Sequence, residues 1–446
     1  MARETALRSV ATTSALRLGE RLRQLRVAAG LTQSELAGER FSKEYVSQIE
    51  RGKTRPTTET IEWLAVRLGC DAGFLANGVA TDERGRLEAA LARAETMIEA
   101  HRNEDAAVEY QTLVPAARST GIPELEVRAL VGAGRTQMRI GALRSALDLL
   151  NDARGIVESG NFSDLERAEV FYAIGVCRYQ LNSIQTALGL LNEALGLAER
   201  SGMPSDSLRS NILSWRSRCW RRMRDYEAAR EDIERALQLA EDADDPRTIG
   251  DAFFQASLVA DREGHWILAR TYAERARGAY EALADKVHVG QLTNNLGGLN
   301  FLLGKTDEAV SLLKEAFGIA LDTGREADAA QAVSSLAQIH LRTGDMEQAE
   351  QQARHALQLL DGREDYLDEI GSAHLVLGRA LLSQDRLDEA EAAFGSAEAS
   401  FGQLGSASHR AAAWVARGDL AARRGDDRLA AHLYRTAAEA LQDVRF

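Results

Sequence analysis

Apolar residues at Leu18, Leu22 and Leu25 step by four and three, which puts them on one face of a helix. Gly30 ends that run. Thr32 follows as an N-cap, with Glu35 three residues on to complete a capping box that satisfies two orphan backbone donors. Leu36 and Ala37 form the inner side of a short helix that stops near Gly38. Ser42 caps a third run with Val46 and Ile49 as its inner positions, and Gly52 stands where a C-cap favours glycine. Ile61 to Leu68 close the stretch, with Trp63, Leu64 and Leu68 assigned to its core. Two short helices split by a brief turn, the second polar on its outer side, predict a helix-turn-helix.

Residues 78–82 read as a linker, and from 83 to 446 the helical period runs almost without a break. A small residue recurs at Ala106, Ala146, Ala187, Ala229, Ala269, Ala309, Ala349, Ala390 and Ala430, at spacings of 40, 41, 42, 40, 40, 40, 41 and 40. A fixed period of this kind marks a repeat array, each unit being too small to bury its own apolar face. Pro123, Pro204 and Pro246 follow Gly or Asp punctuation and precede apolar-periodic runs, as helix-start prolines do. Pro115 is expected to kink or end its helix.

The words Leu31-Thr32-Gln33-Ser34-Glu35-Leu36-Ala37 and Tyr45-Val46-Ser47-Gln48-Ile49-Glu50-Arg51-Gly52-Lys53 resemble the phage-repressor-like (Xre-type) helix-turn-helix domains of bacterial transcription factors. The resemblance implies a five-helix, lambda-repressor-like domain over 16–77 whose second motif helix enters the major groove of double-stranded DNA. With Val46 and Ile49 inward, Lys43, Glu44, Ser47 and Gln48 lie outward as base-reading candidates. Lys43 suits guanine, Gln48 adenine and Glu44 a cytosine amino group. Gln33 matches a family position that contacts DNA. Thr32, Ser42, Arg51, Lys53 and Arg55 are assigned to phosphate, contacts that set register without reading sequence.

The repeat units, such as Leu296-Gly297 with Asn300, Gly304, Ala309 and Leu313, resemble tetratricopeptide repeats. The expected fold is therefore all-α, the helix-turn-helix domain being followed by a right-handed superhelix of about nine helix pairs. Each unit exceeds the common length of about 34 residues, which implies longer helices or loops. First helices should line a concave groove. Counting from the small contact residue of each first helix, the candidate ligand positions are Arg135, Arg139, Tyr172, Tyr179, Asn211, Arg218, Arg222, Asp251, Phe254, Asn294, Phe301, Gln331 and Gln338. Asparagine can clamp a peptide backbone by donating and accepting together. Arginines clustered in the fourth unit would suit a carboxylate.

Charge sharpens the division. The 446 residues carry a net −13, yet residues 1–78 hold 12 Lys+Arg against 9 Asp+Glu, a net of +3, leaving −16 for the rest. A basic head on an acidic body fits a protein that meets DNA with one end. Cys70, Cys177 and Cys219 are far apart and suit a reducing cytoplasm. Residues 1–15 lack the apolar core of a signal peptide and read as a flexible arm, and no run is long enough to span a membrane. No His lies near Cys, Asp or Glu at metal-ligand spacing, so neither metal nor cofactor is expected. Gly298 to Thr306 looks like a phosphate-binding loop, but five residues separate its glycines where four are needed, and no strand precedes it. Nothing in the sequence nominates an enzyme.

Domain order resembles that of the RRNPP-type peptide-pheromone receptors of bacteria. What this implies is a cytoplasmic homodimer that binds a palindromic operator, senses a short signalling peptide in its repeat groove as quorum sensors do, and alters the spacing of its paired heads. The other reading is an interaction scaffold whose array docks a protein partner without a small ligand, the head localising it to DNA.

Overall fold

The computed structural model describes residues 18–77, 81–363 and 366–442. Residues 1–15, read as an arm, lie outside the described residues, as do 78–80 of the expected linker. The other two linker residues open a helix, because the first array helix starts at Thr81. The described residues hold 23 helices and no strand. By contact the chain divides into two compact units, Met1–Asp225 and Tyr226–Phe446.

Five helices form the head: α1 (18–28), α2 (Gln33–Ala37), α3 (Lys43–Glu50), α4 (Thr58–Leu68) and α5 (Ala72–Asn77). Thr32 accepts from the Glu35 amide at 3.2 Å, and its own N–H donates to the Glu35 carboxylate at 2.7 Å, so the capping box forms as expected. Ser42 accepts from the Tyr45 amide at 3.1 Å and starts α3. Gly52 ends it with φ +65°, its N–H donating to Ile49. Leu18, Leu22, Leu36, Val46, Ile49, Leu64 and Leu75 make one core, with Phe41 and Trp63 edge-to-face at 5.1 Å on its flank. Gly19 brings α1 against the end of α3: a Cβ there would lie 2.6 Å from the Glu50 carbonyl oxygen.

Eighteen helices follow, two per repeat: α6 (Thr81–Glu99), α7 (Asn103–Thr120), α8 (Pro123–Arg139), α9 (Leu143–Ser159), α10 (Asp164–Gln180), α11 (Ile184–Arg200), α12 (Asp206–Arg222), α13 (Tyr226–Ala243), α14 (Pro246–Arg262), α15 (Trp266–Ala282), α16 (Lys286–Leu302), α17 (Thr306–Asp322), α18 (Glu326–Thr343), α19 (Met346–Leu359), α20 (Leu367–Ser383), α21 (Leu387–Leu404), α22 (Ala407–Arg423) and α23 (Asp427–Gln442). Helices α14 to α17 are each 17 residues long and joined by three-residue turns, so the 40-residue period comes from longer helices, not longer loops.

All nine periodic alanines sit in second helices; eight are 0% exposed and Ala430 is 4% exposed. Twelve residues before each is a small residue of the first helix: Ala94, Gly134, Gly175, Ser217, Ser257, Gly297, Ala337, Gly378 and Gly418, all buried. Glycine occurs where the residue sixteen further on is large. A Cβ on Gly134, Gly175 or Gly297 would meet Leu150, Leu191 or Leu313 at 2.8, 2.9 and 2.7 Å, and one on Gly378 or Gly418 would strike the ring of Phe394 or Tyr434. Where that later residue is Ala273 or Ala353, the small position carries a side chain, Ser257 or Ala337. Ala94 before Tyr110 and Ser217 before Ile233 keep a side chain against a large one, so this compensation of volume holds in seven of the nine units, as close packing favours.

At Pro115, where a kink or an end is expected, the end does not occur. Helix α7 does not end there but runs on to Thr120. Tyr110 and Leu113 before the proline and Ala117 after it are all buried in one core, and that burial outweighs the roughly 3 kcal/mol an interior proline costs. Pro123 and Pro246 open α8 and α14 as expected.

Candidate functional site

The outer side of α3 is where the head presents its chemistry. Val46, Ile49 and Glu50 are buried, so Lys43, Glu44 and Gln48 stand exposed on the opposite side, with Ser47 half-buried beside them. Thr54 Oγ1 donates to Gln48 Oε1 at 3.0 Å, which holds the side-chain amide and leaves its NH2 as a donor. Thr32, Ser42, Arg51, Lys53 and Arg55 are exposed. None of Lys43, Arg51, Lys53 and Arg55 has an ion pair among the described residues, so their charge is available to phosphate. Thr32 and Ser42 use an oxygen lone pair as helix caps and keep their hydroxyl protons to donate.

Gln33 is placed differently from a free base reader. It is half-buried, and its Nε2 donates to Glu50 Oε2 at 2.7 Å. Glu50 also accepts from Arg26 Nε at 2.6 Å and Nη2 at 3.2 Å, while Arg26 Nη1 donates to the Leu31 carbonyl at 2.8 Å. This ion pair, with side chains 12% and 4% exposed, ties α1, the start of α2 and the end of α3 together. It orients Gln33 toward the joint between the two motif helices. The sequence signal for it was faint: Arg26 falls one helical turn after Leu22, on the buried side of α1.

Seven of the thirteen groove candidates lie in Met1–Asp225 and six in Tyr226–Phe446. In Tyr226–Phe446, Asn294, Phe301 and Gln338 do converge, on a cavity of about 320 Å³ between α14, α16 and α18. Ser257, Asp261, Asn295, Ser335 and Arg342 complete its polar lining. Asn294 Oδ1 is buried without a hydrogen-bond partner. The Arg342 guanidinium lies over the Phe301 ring, 4.9 Å from its centroid, and forms no ion pair among the described residues. Gln331 and Asn294 share a small adjoining cleft with Gln291 and Asp328. Asp251 is instead taken up by packing, accepting from the Tyr280 hydroxyl at 2.5 Å; burial first, then Asp251, hold that phenol far above its ordinary range. Phe254 packs half-buried against the same core.

In Met1–Asp225 the arginines expected to hold an anion have intramolecular neighbours. Arg218 stacks on Trp215 at 4.0 Å, and Tyr179 meets the same indole edge-on at 5.4 Å. Arg222 donates to Asn182 Oδ1 at 2.6 Å. Asn211 and Tyr172 are half-buried on α12 and α10, and Arg139 is exposed at the end of α8. Arg135 lines a separate, largely acidic cavity. Arg342 is the residue the reading left out: it occupies the same repeat position as Arg139 and Arg222, five after the small residue.

Residues 17–77 match the family model of a helix-turn-helix domain, and residues 288–362 and 375–444 match two tetratricopeptide-repeat models. The chain carries a helix-turn-helix domain followed by tetratricopeptide repeats. Over 65 residues it is 42% identical to the HTH-type transcriptional regulator DdrOP3 of Deinococcus deserti, a match covering 14% of this chain and 50% of that protein. The chain thus spans half the length of the curated relative it matches. Among solved structures it is similar to the apo form of the quorum sensor NprR from B. thuringiensis, with a TM-score of 0.58 at 12% identity over 80% of this chain and 99% of that one. A Rap protein complexed with Competence and Sporulation Factor gives 0.52 at 17% identity over 79% and 99%. At such identities the likeness is one of fold. Among the described residues no helix is long and apolar enough to cross a membrane.

Proposed function

We propose that this chain is a sequence-specific, DNA-binding transcription regulator that acts as a cytoplasmic homodimer, and that the cavity around Asn294 admits part of a short peptide whose binding changes the DNA-bound state. The observation that carries the first part is the outer face of α3, where Lys43, Glu44 and Gln48 are exposed beside Arg51, Lys53 and Arg55, cations with no ion pair among the described residues. A helix of this kind sits in the major groove, and a pair of them grips a palindrome when their half-sites are ~34 Å apart. The 42% identity of the head to a named transcriptional regulator supports the reading.

For the peptide, support comes from the chemistry of the lining. Asn294 holds a buried carbonyl oxygen in want of a donor, which a peptide N–H supplies. Gln338 can donate and accept, Arg342 offers a positive charge, and Leu258, Leu299 and Ile339 receive apolar atoms. A volume of about 320 Å³ suits a few side chains, not a whole polypeptide. Switching requires the ligand to prefer one conformation of the array.

A short-peptide library screened by fluorescence anisotropy against the DNA-bound protein tests this. A hit should shift the DNA affinity of the wild type and lose that effect in Asn294→Ala, while the variant keeps its affinity for DNA without peptide. A hit that works equally well on Asn294→Ala would place the peptide elsewhere.

A further inference from the structure

Two features of the Asn294 cavity are not accounted for by packing within the array: a bare helix surface at Gly298 and the open edge of a guanidinium at Arg342, both in its lining. Gly298 follows the small residue Gly297 on α16. In the other eight units the residue at that place carries a side chain, Leu258 in the unit before and Gln338 in the unit after among them. Glycine inside a helix costs about 1 kcal/mol relative to alanine. At Gly297 close packing requires it, since a Cβ would lie 2.7 Å from Leu313. At Gly298 a Cβ would meet nothing within 4 Å, so no neighbour in the array demands the glycine. Its effect is to leave the α16 backbone bare on the cavity wall, where an extended main chain can approach more closely than a side chain would permit.

Arg342 comes from α18. Its guanidinium lies over the Phe301 ring, 4.9 Å from the centroid, and has neither hydrogen bond nor ion pair among the described residues. Stacking uses the face of a guanidinium and leaves its edge, which fits a carboxylate through two parallel N–H donors. Phe301 follows Gly298 by three residues and Arg342 follows Gln338 by four, so on each helix the pair shares one side. Asp261, the carboxylate of the lining, is on α14, the preceding first helix of the stack. A negative charge is therefore attracted to the α18 wall and repelled from the α14 wall.

We infer that the cavity takes the free carboxyl end of a peptide, an inference that rests on the reading of this cavity as a peptide site. The terminal carboxylate lies on the edge of Arg342, the last main-chain N–H donates to the side-chain oxygen of Gln338, the backbone passes over Gly298, and an apolar terminal side chain fills the space among Leu258, Leu299 and Leu302. A terminal carboxylate is part of the main chain, so a backbone lying on Gly298 carries it to the wall directly, whereas the carboxylate of an Asp or Glu side chain stands off on methylenes. The net −16 outside the head disfavours a ligand with further acidic groups. An interior segment of a protein has no carboxyl end to offer, so the site selects chain ends over loops.

The test is affinity selection by the full chain from one acetylated pentapeptide library made twice, as free acids and as C-terminal amides, followed by isothermal titration calorimetry of the selected peptides. Four proteins are compared: the wild type, Arg342→Gln, Gly298→Leu, which gives α16 the residue that α14 carries at the same place, and Lys314→Gln, which removes one exposed positive charge outside the lining. The expected binders are free acids with an apolar last residue, and the amide of each should bind about tenfold or more weaker, the loss of a charge-assisted pair. Arg342→Gln should weaken the acid by a similar factor and leave the amide where it was. Gly298→Leu should weaken the acid at least as much, and Lys314→Gln should change neither. Equal binding of acid and amide, or an acid–amide difference that survives in Arg342→Gln, would overturn the assignment of the carboxyl end. If Asn294→Ala still abolished binding in that case, the peptide reading of the cavity would stand without it. No binder from either library would overturn both.

Discussion

Glu50 holds the motif together, and it does so with charge inside an apolar core. Removing Arg26 leaves that carboxylate buried with only Gln33 as a partner, a loss of about 3–5 kcal/mol for a broken buried pair. Arg26→Met should therefore lower the hydrogen-exchange protection of α1 to α3 in the full chain while sparing the array; unchanged protection would show that water reaches Glu50 freely. On the outer side the effects are of another kind. Gln48→Ala should cost about 1–3 kcal/mol at one base position of the operator, whereas Arg55→Ala should weaken all sequences alike and reduce the salt slope by about one. Binding assays on single-base operator variants over a range of salt separate the two. The outward exposure of Lys43, Glu44 and Gln48 was legible from the sequence because one buried pair, Val46 and Ile49, fixes the rotation of a short helix. The bond from Gln33 to Glu50 was not, because Glu50 lies seventeen residues away and on a different helix.

At the scale of helices the decisive regularity is the pairing of volumes twelve and sixteen residues apart. Gly297→Ala should destabilise Tyr226–Phe446 by about 1–3 kcal/mol, since the new methyl lies 2.7 Å from Leu313. Leu313→Ala alone opens a cavity and should cost about 2–5 kcal/mol. The double variant recreates the small-on-small arrangement of Ala337 and Ala353, so its loss should be less than the sum of the two. Denaturant unfolding of the four proteins measures that coupling, and strict additivity would show that the two positions do not share one contact. This repeat was open to reading because the alanines are spaced evenly and all are buried. Of the kink or end expected at Pro115 the end does not occur, because local backbone chemistry argues for a break while Tyr110, Leu113 and Ala117, packed with residues distant in the chain, argue for continuity.

On the scale of the molecule, charge assigns the work: a head of net +3 can approach DNA, and a remainder of net −16 is repelled by it. Repeat counting located the Asn294–Phe301–Gln338 cavity but scattered its other nominations, because the inward register of a helix does not say whether a neighbour already occupies the side chain. Asp251 with Tyr280 and Arg222 with Asn182 are such cases. The central claim is that the α3 face reads DNA sequence. Selection of random duplexes by the purified full-length protein at physiological salt tests it most directly. An inverted repeat with half-site centres about ten base pairs or a multiple apart, lost with Lys43→Ala/Gln48→Ala, is the result predicted. Recovery of no motif, or of the same motif by that variant, would contradict it.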